Sequence, residues 1–171
     1  MPCVQLLPRK RPEIMVDRVA LSDLVHRYAA WVDDREFDLV ATLFTESAEL
    51  VVPHPPTSLE PVDTHRGHQA IAAAVAAVAQ VVRTQHAIVG EVYDAVDSGQ
   101  PGAARGRIAC IAHHFSEHPD TGFTDHVWHL RYDDEYELTD AGWRIGRRTL
   151  TIDAIETRPV RLLRLRNPPS A

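Results

Sequence analysis

The sequence predicts an α+β fold, with helices first and strands last. Two patterns carry that reading. In the first half, apolar residues recur at helical spacing: Val25, Tyr28, Ala29 and Val32, then Ile71, Val75, Val78 and Val82. The second half holds four long β-rich runs separated by Gly- and Pro-containing turns. Because helices and strands are segregated, an alternating βαβ sheet is excluded. At 171 residues, 44% hydrophobic and 25% charged, the chain suits one globular domain with one core.

The elements follow in order. Residues 1–15 hold three prolines and a basic cluster where a signal peptide would carry an apolar segment. They read as a flexible leader on a cytoplasmic protein, with Met15 a candidate second start. A first helix is expected over 16–33, with Leu21 and Leu24 on the same side as Val25, ending at Asp34 and Arg35. A short second helix over 36–44 would bury Phe37, Val40, Leu43 and Phe44. Residues 48–52 are β-rich. Four prolines (Pro53, Pro55, Pro56, Pro61) make 53–67 a loop, of the length that often serves as a lid. A third helix is expected over 68–82.

Strands are expected over 85–96, 103–115, 125–138 and 143–155. The third alternates best. Trp128, Leu130, Tyr132, Tyr136 and Leu138 share one face, and Val127, His129, Arg131, Asp133, Glu135 and Glu137 the other. That is the pattern of an antiparallel sheet covered on one side. The domain is expected over 16–157, leaving 158–171 as a tail. There Arg158, Arg161, Arg164 and Arg166 surround Leu163 and Leu165, which suits an edge strand, a subunit contact or a frayed end.

Several functions are disfavoured. No apolar run reaches about 18 residues, so no transmembrane helix is expected. A net charge of −6 argues against nucleic acid as the main partner. Cys3 and Cys110 make no disulfide framework, and Cys110 reads as a small core residue. There is no Gly-rich phosphate loop and no G-x-S-x-G, so no cofactor is expected. His65/His68 and His126/His129 each form H-x-x-H, but the second pair points to opposite strand faces and the first lacks a metalloprotease's glutamate. No metal is expected.

The residues that could carry chemistry are few. Asp33 lies about 80° around its helix from Val25, at the border of the apolar stripe. A carboxylate buried there needs a partner. His86, opening a β-rich run, could supply it, and an Asp–His pair is a general base that works near neutral pH. The alternative is a helix-end aspartate and a packed core histidine. His113 and His114 point to opposite faces, so only one can enter a pocket. Tyr28, on the apolar stripe, is either core packing or a pocket hydroxyl. His126 and Asp134 are further candidates for a pocket mouth, and His54 would share the face of Val52 if the strand ran on through Pro53, although Pro53 and Pro55 favour a loop.

The chain carries Y-x-x-x-x-D (Tyr28 to Asp33), then R-E-F-D-L-V-A-T-L-F-T-E-S-A (35–48), R-T-Q-H (Arg83 to His86) and Y-x-x-x-Y-E-L-T-D-A-G-W-R-I (132–145). In order and spacing these motifs resemble the SnoaL-like branch of the NTF2-like superfamily, nearest to scytalone dehydratase and the bile-acid 7α-dehydratases. The resemblance covers about 16–155. It implies an NTF2-like cone: N-terminal helices packed in a strongly curved, mostly antiparallel sheet enclosing a pocket. Asp33 falls on a pocket aspartate of both dehydratase types, His86 on their catalytic histidine, His114 on a second pocket histidine of scytalone dehydratase, and Tyr28 on a tyrosine of the bile-acid enzymes. Val32 and Val52 stand where scytalone dehydratase holds two tyrosines, and Ala112 where the bile-acid enzymes carry an aspartate, so the substrate is expected to differ.

The resemblance thus implies a cofactor-free dehydratase or isomerase of a small hydrophobic cyclic hydroxy-ketone, with Asp33, His86, Tyr28 and His114 catalytic. It also implies a homodimer or homotrimer, with His129 and Arg131 near the contact. The competing reading is a non-catalytic NTF2-like module for ligand binding or assembly. A polyketide cyclase or epoxide hydrolase is disfavoured, because one pocket aspartate is evident where such a hydrolase uses more.

Overall fold

The computed structural model describes residues 16–96, 102–120 and 122–164. The leader, the end of the tail and most of the turn after residue 96 lie outside the described residues. The elements run α1 (Arg18–Asp34), α2 (Phe37–Thr42), β1 (Phe44–His54), β2 (Ser58–Arg66), α3 (Gly67–Val75) with a 3-10 turn over Ala76–Gln80, then β3 (Arg83–Ala95), β4 (Ala103–His118), β5 (Gly122–Thr139) and β6 (Gly142–Val160). The fold is α+β, as expected: N-terminal helices and one six-stranded mixed sheet in the order β2-β1-β6-β5-β4-β3. β1 and β6 are parallel, and the other neighbours are antiparallel.

α1 starts where the Asp17 carboxylate accepts from the Ala20 N–H at 3.0 Å, an N-cap. Its stripe of Leu21, Leu24, Val25, Tyr28, Ala29 and Val32 is buried. It stops at Arg35, whose left-handed backbone (φ 66°) closes the last turn. The helix packs chiefly on β3. Around it the core gathers Phe44, Leu50, Ile71, Ile108, Tyr132 and Ile145.

The structure corrects the expected loop over 53–67. β1 continues through Pro53, the chain turns at 55–57 around a cis Pro55–Pro56 bond, and β2 returns antiparallel with Glu49 opposite Arg66 and Val52 opposite Asp63. Pro61 is tolerated because β2 is an edge strand, where a missing N–H costs no ladder bond. Phe44 opens β1 rather than closing α2, and the third helix ends at Val75. β6 runs to Val160, which takes Arg158 into the sheet opposite Asp125. Leu138, expected on the covered face, is exposed beside the β5–β6 turn.

Register aligns side chains in rows across the sheet, buried or half-buried through β5 but exposed at Ile155 and Thr157 on β6. Ile88, Cys110, Leu130 and Ile152 make one row; His86, Ala112, Trp128 and Ile155 the next; Thr84, His114, His126 and Thr157 the third. The rows pass from apolar to polar toward the Thr84 end.

Candidate functional site

Asp33 and His86 meet. The His86 ring donates Nδ1–H to Asp33 Oδ1 at 2.7 Å, and the His86 backbone N–H donates to Oδ2 at 2.8 Å. One carboxylate thus grips both the ring and the strand that carries it. Asp33 is placed by the end of α1. The next helix-end side chain, Arg35, ties that end to β3, donating to the Thr84 hydroxyl at 2.9 Å and the Val81 carbonyl at 3.2 Å. The Thr84 hydroxyl also bonds Asp33. Burial alone would raise the Asp33 carboxyl, but the hydrogen bonds and charge of His86, with Thr84, hold it below the usual carboxylate range.

Four other histidines also face a carboxylate within 3.1 Å: His26 with Glu91, His54 with Asp63, His113 with Asp125 and His129 with Glu156. A His–carboxylate contact is therefore not distinctive in this chain. The His86 pair stands apart because its ring is only 6% exposed, faces the core, and lies 6.0 Å from the ring centre of a second core histidine. The others have rings 25–69% exposed.

That second histidine is His114, edge-on to His86 and packed on Trp128 at 4.2 Å. Its Nδ1 donates to the His126 carbonyl at 3.2 Å. Burial above all, then repulsion from His86, pushes His114 down to about 4, so its ring is neutral near pH 7. His113 points to the opposite sheet face and bonds Asp125 at 2.8 Å.

Tyr28 sits in a different cluster. Its ring packs edge-on against Phe44 and Tyr132, and the Arg148 guanidinium lies over it at 4.2 Å and over Tyr132 at 4.4 Å. Arg148 and Asp134 are fully buried and joined by two bonds, 2.8 and 2.7 Å, while the Tyr136 hydroxyl donates to Asp134 at 2.6 Å. Arg148 Nη1 has no partner among the described residues. Burial raises the Tyr28 hydroxyl, with the Arg148 charge opposing. Cys110 bridges the two clusters: burial pushes its thiol up to about 12, and it feels both Arg148 and Asp33.

The remaining candidates lie elsewhere. Asp134 is deep in the core rather than at a mouth. His54 is exposed on Asp63, and His68 donates to the Phe44 carbonyl at 3.0 Å. His126 bonds Thr157 at 3.2 Å, beside His114. His129 and Arg131 pair with Glu156 and Asp153 on the outer face. Among the described residues no three His, Cys, Asp or Glu side chains are grouped to hold a metal. A concavity of ≈ 330 Å³ on that outer face is lined by Val92, Arg105, Arg107, Asp133, Glu135 and Arg147 among others. It touches neither Asp33 nor His86, so the convergence of side chains, not this concavity, marks the candidate site.

Sequence reasoning missed Arg148, Arg35 and Thr84. Arg148 was hidden by a bulge. Ile145 pairs with Tyr136 and Arg147 with Glu135, leaving Gly146 as the extra residue. Simple alternation from Trp143 and Ile145 sends Arg148 outward, whereas the inserted residue turns it inward. The glycine within a strand run was the available signal.

An N-terminal helix that delivers an aspartate to a histidine on the core face of a six-stranded mixed sheet defines a class of small α+β domains. Residues 13–149 match the SnoaL-like domain, and the chain belongs to that family. No curated protein matches significantly. Among solved structures, the chain is similar to a provisionally assigned scytalone dehydratase from Novosphingobium aromaticivorans, at 19% identity over 90% of this chain and 93% of that one, TM-score 0.64. It is also similar to a hexachlorocyclohexane dehydrochlorinase, LinA type 2, at 16% identity over 90% and 95%, TM-score 0.68. An NTF2-like protein with a cystatin-like fold from N. aromaticivorans matches at 22% over 80% and 82%, TM-score 0.59. At these identities the likeness is one of fold. Among the described residues no helix is long and apolar enough to cross a membrane.

Proposed function

We propose that the chain is a cofactor-free lyase or isomerase acting on a small hydrophobic cyclic hydroxy-ketone. The observation that carries this reading is the double grip of Asp33 on His86. It fixes the ring as the Nδ1–H tautomer, leaves Nε2 as a bare acceptor, and stabilises the imidazolium that forms when Nε2 takes a proton. The fold neighbours named for a dehydratase and a dehydrochlorinase support elimination chemistry on this scaffold.

In the proposed reaction His86 Nε2 removes a proton from the ring carbon beside the carbonyl. The C–H electron pair moves onto the carbonyl oxygen as an enolate. Tyr28, with the Arg148 cation over its ring, supplies a donor and positive field for that oxygen. The enolate then expels the hydroxyl on the next carbon, and His86 returns its proton to it. Water leaves, a C=C bond forms, and His86 is neutral again. Return of the proton to a different carbon gives isomerisation instead.

The test is turnover of a panel of cyclic β-hydroxy-ketones by the purified chain, followed by enone absorbance. His86→Ala and Asp33→Asn should each lose at least about 100-fold in kcat with the fold intact. His54→Ala, far from the site, should keep the parent rate. Full activity in His86→Ala would refute His86 as the base, whereas no turnover of any panel member by the parent chain would support a binding or assembly module.

A further inference from the structure

The His114 ring faces a carbonyl with Nδ1. A backbone carbonyl only accepts, so Nδ1 carries the proton and Nε2 carries a lone pair. The opposite tautomer would set two lone pairs against each other at 3.2 Å. Trp128, packed on the ring at 4.2 Å, and the edge-on His86 ring hold its orientation. Among the described residues Nε2 has no hydrogen-bond partner. A neutral imidazole in this tautomer cannot donate at Nε2. It therefore suits neither the enolate oxygen nor a leaving hydroxyl that needs a proton.

We propose that His114 is a specificity-determining residue whose Nε2 accepts a hydrogen bond from a hydroxyl of the ligand, so that the site selects ring compounds bearing a free O–H and rejects their methyl ethers. The inference rests on the reading of this site as one that binds a ring compound. The ring centres of His86 and His114 are 6.0 Å apart, a separation that a single ring compound can span. The row carrying His114 is the polar one: Thr84, His114, His126 and Thr157 lie side by side, next to the row of Ala112, Trp128 and Ile155. An apolar ring with one polar edge matches that gradient. An ether oxygen in the same place would bring lone pair against lone pair and leave Nε2 desolvated without a donor, which works against the wrong ligand as well as for the right one.

The experiment is calorimetric titration of the full chain with 2-naphthol and with 2-methoxynaphthalene, which share a ring and differ in the donor. The parent chain should bind the naphthol about tenfold more tightly. His114→Phe should bring the two affinities within about twofold, mainly by weakening the naphthol. His114→Gln, whose amide oxygen can accept, should restore part of the preference and covers the case in which the Phe variant fails to fold. Equal affinities in the parent chain, an undiminished preference in both variants, or no binding of either probe would overturn the proposal. Equal affinities for the two probes in a parent chain that shows Asp33- and His86-dependent turnover would sink this inference alone. Selective binding without turnover would sink the enzymatic reading alone.

Discussion

Replacing Asp134 with leucine isolates the buried ion pair. In the native chain Arg148 and Asp134 have fully buried side chains joined by two short bonds, and Asp134 also accepts from Tyr136. Asp134→Leu strands a guanidinium in the core and leaves the Tyr136 hydroxyl without its acceptor. Breaking one side of such a pair costs about 3–5 kcal/mol. The rings of Tyr28 and Tyr132 flank the guanidinium at 4.2 and 4.4 Å and offset some of that loss. At roughly 2–4 °C per kcal/mol for a chain of this size, Tm should fall by about 6–20 °C. Arg148→Met leaves a bare carboxylate and should cost a similar amount. The double variant Asp134→Leu/Arg148→Met has no stranded charge and should return to within about 2 kcal/mol of the parent, because an apolar replacement of a buried pair is often neutral. Urea unfolding followed by circular dichroism and tryptophan fluorescence, with m compared across the four chains, measures the cycle. A single variant that loses less than about 1 kcal/mol, or a double variant that loses the sum of the singles, would refute the view that pairing is what makes this charge tolerable.

Two further outcomes follow from the same core. The folded His114 titrates at about 4 and the unfolded one near 6.5, so unfolded chains bind the proton first as pH falls. Its contribution is complete above pH 6.5 and is lost toward pH 4, with a total of roughly 3 kcal/mol at about 1.4 kcal/mol per pH unit. Urea midpoints of His114→Phe should therefore fall less steeply over that window than those of the parent, and equal slopes would count against the buried neutral ring. Gly106→Ala should destabilise by about 1–3 kcal/mol, since its Cβ would stand 2.8 Å from the Tyr136 ring and 3.1 Å from Tyr93. A midpoint within about 0.5 kcal/mol of the parent would show that those rings yield freely.

The periodic parts of the chain were legible in advance. The stripe from Leu21 to Val32 and the alternation from Trp128 to Tyr136 each reflect burial on one face, and burial leaves a repeat in the sequence. The contact of Asp33 with His86 was also anticipated, since a carboxylate at the edge of an apolar stripe needs a partner. What failed was local and aperiodic. Proline content hid β2, because an edge strand forgives what a central one does not. The bulge at Gly146 reversed parity and concealed Arg148. Arg35 looked like a helix breaker, and only the folded chain shows that side chain reaching across to Thr84 and Val81.

The parallel pairing of β1 with β6 sets an order of assembly. Phe44 lies beside Ile145, and Leu50 beside Arg148, although these partners are about a hundred residues apart in the chain. At about 5–20 residues per second, a ribosome delivers β6 roughly 5–20 s after β1. Through that interval the β1–β2 hairpin has its inward edge unpaired, with Leu50 and Val51 lacking the strand that later lies beside them. The hairpin therefore waits with an open edge during synthesis, and β6 is the strand that joins it to β5 and so unites the two halves of the sheet.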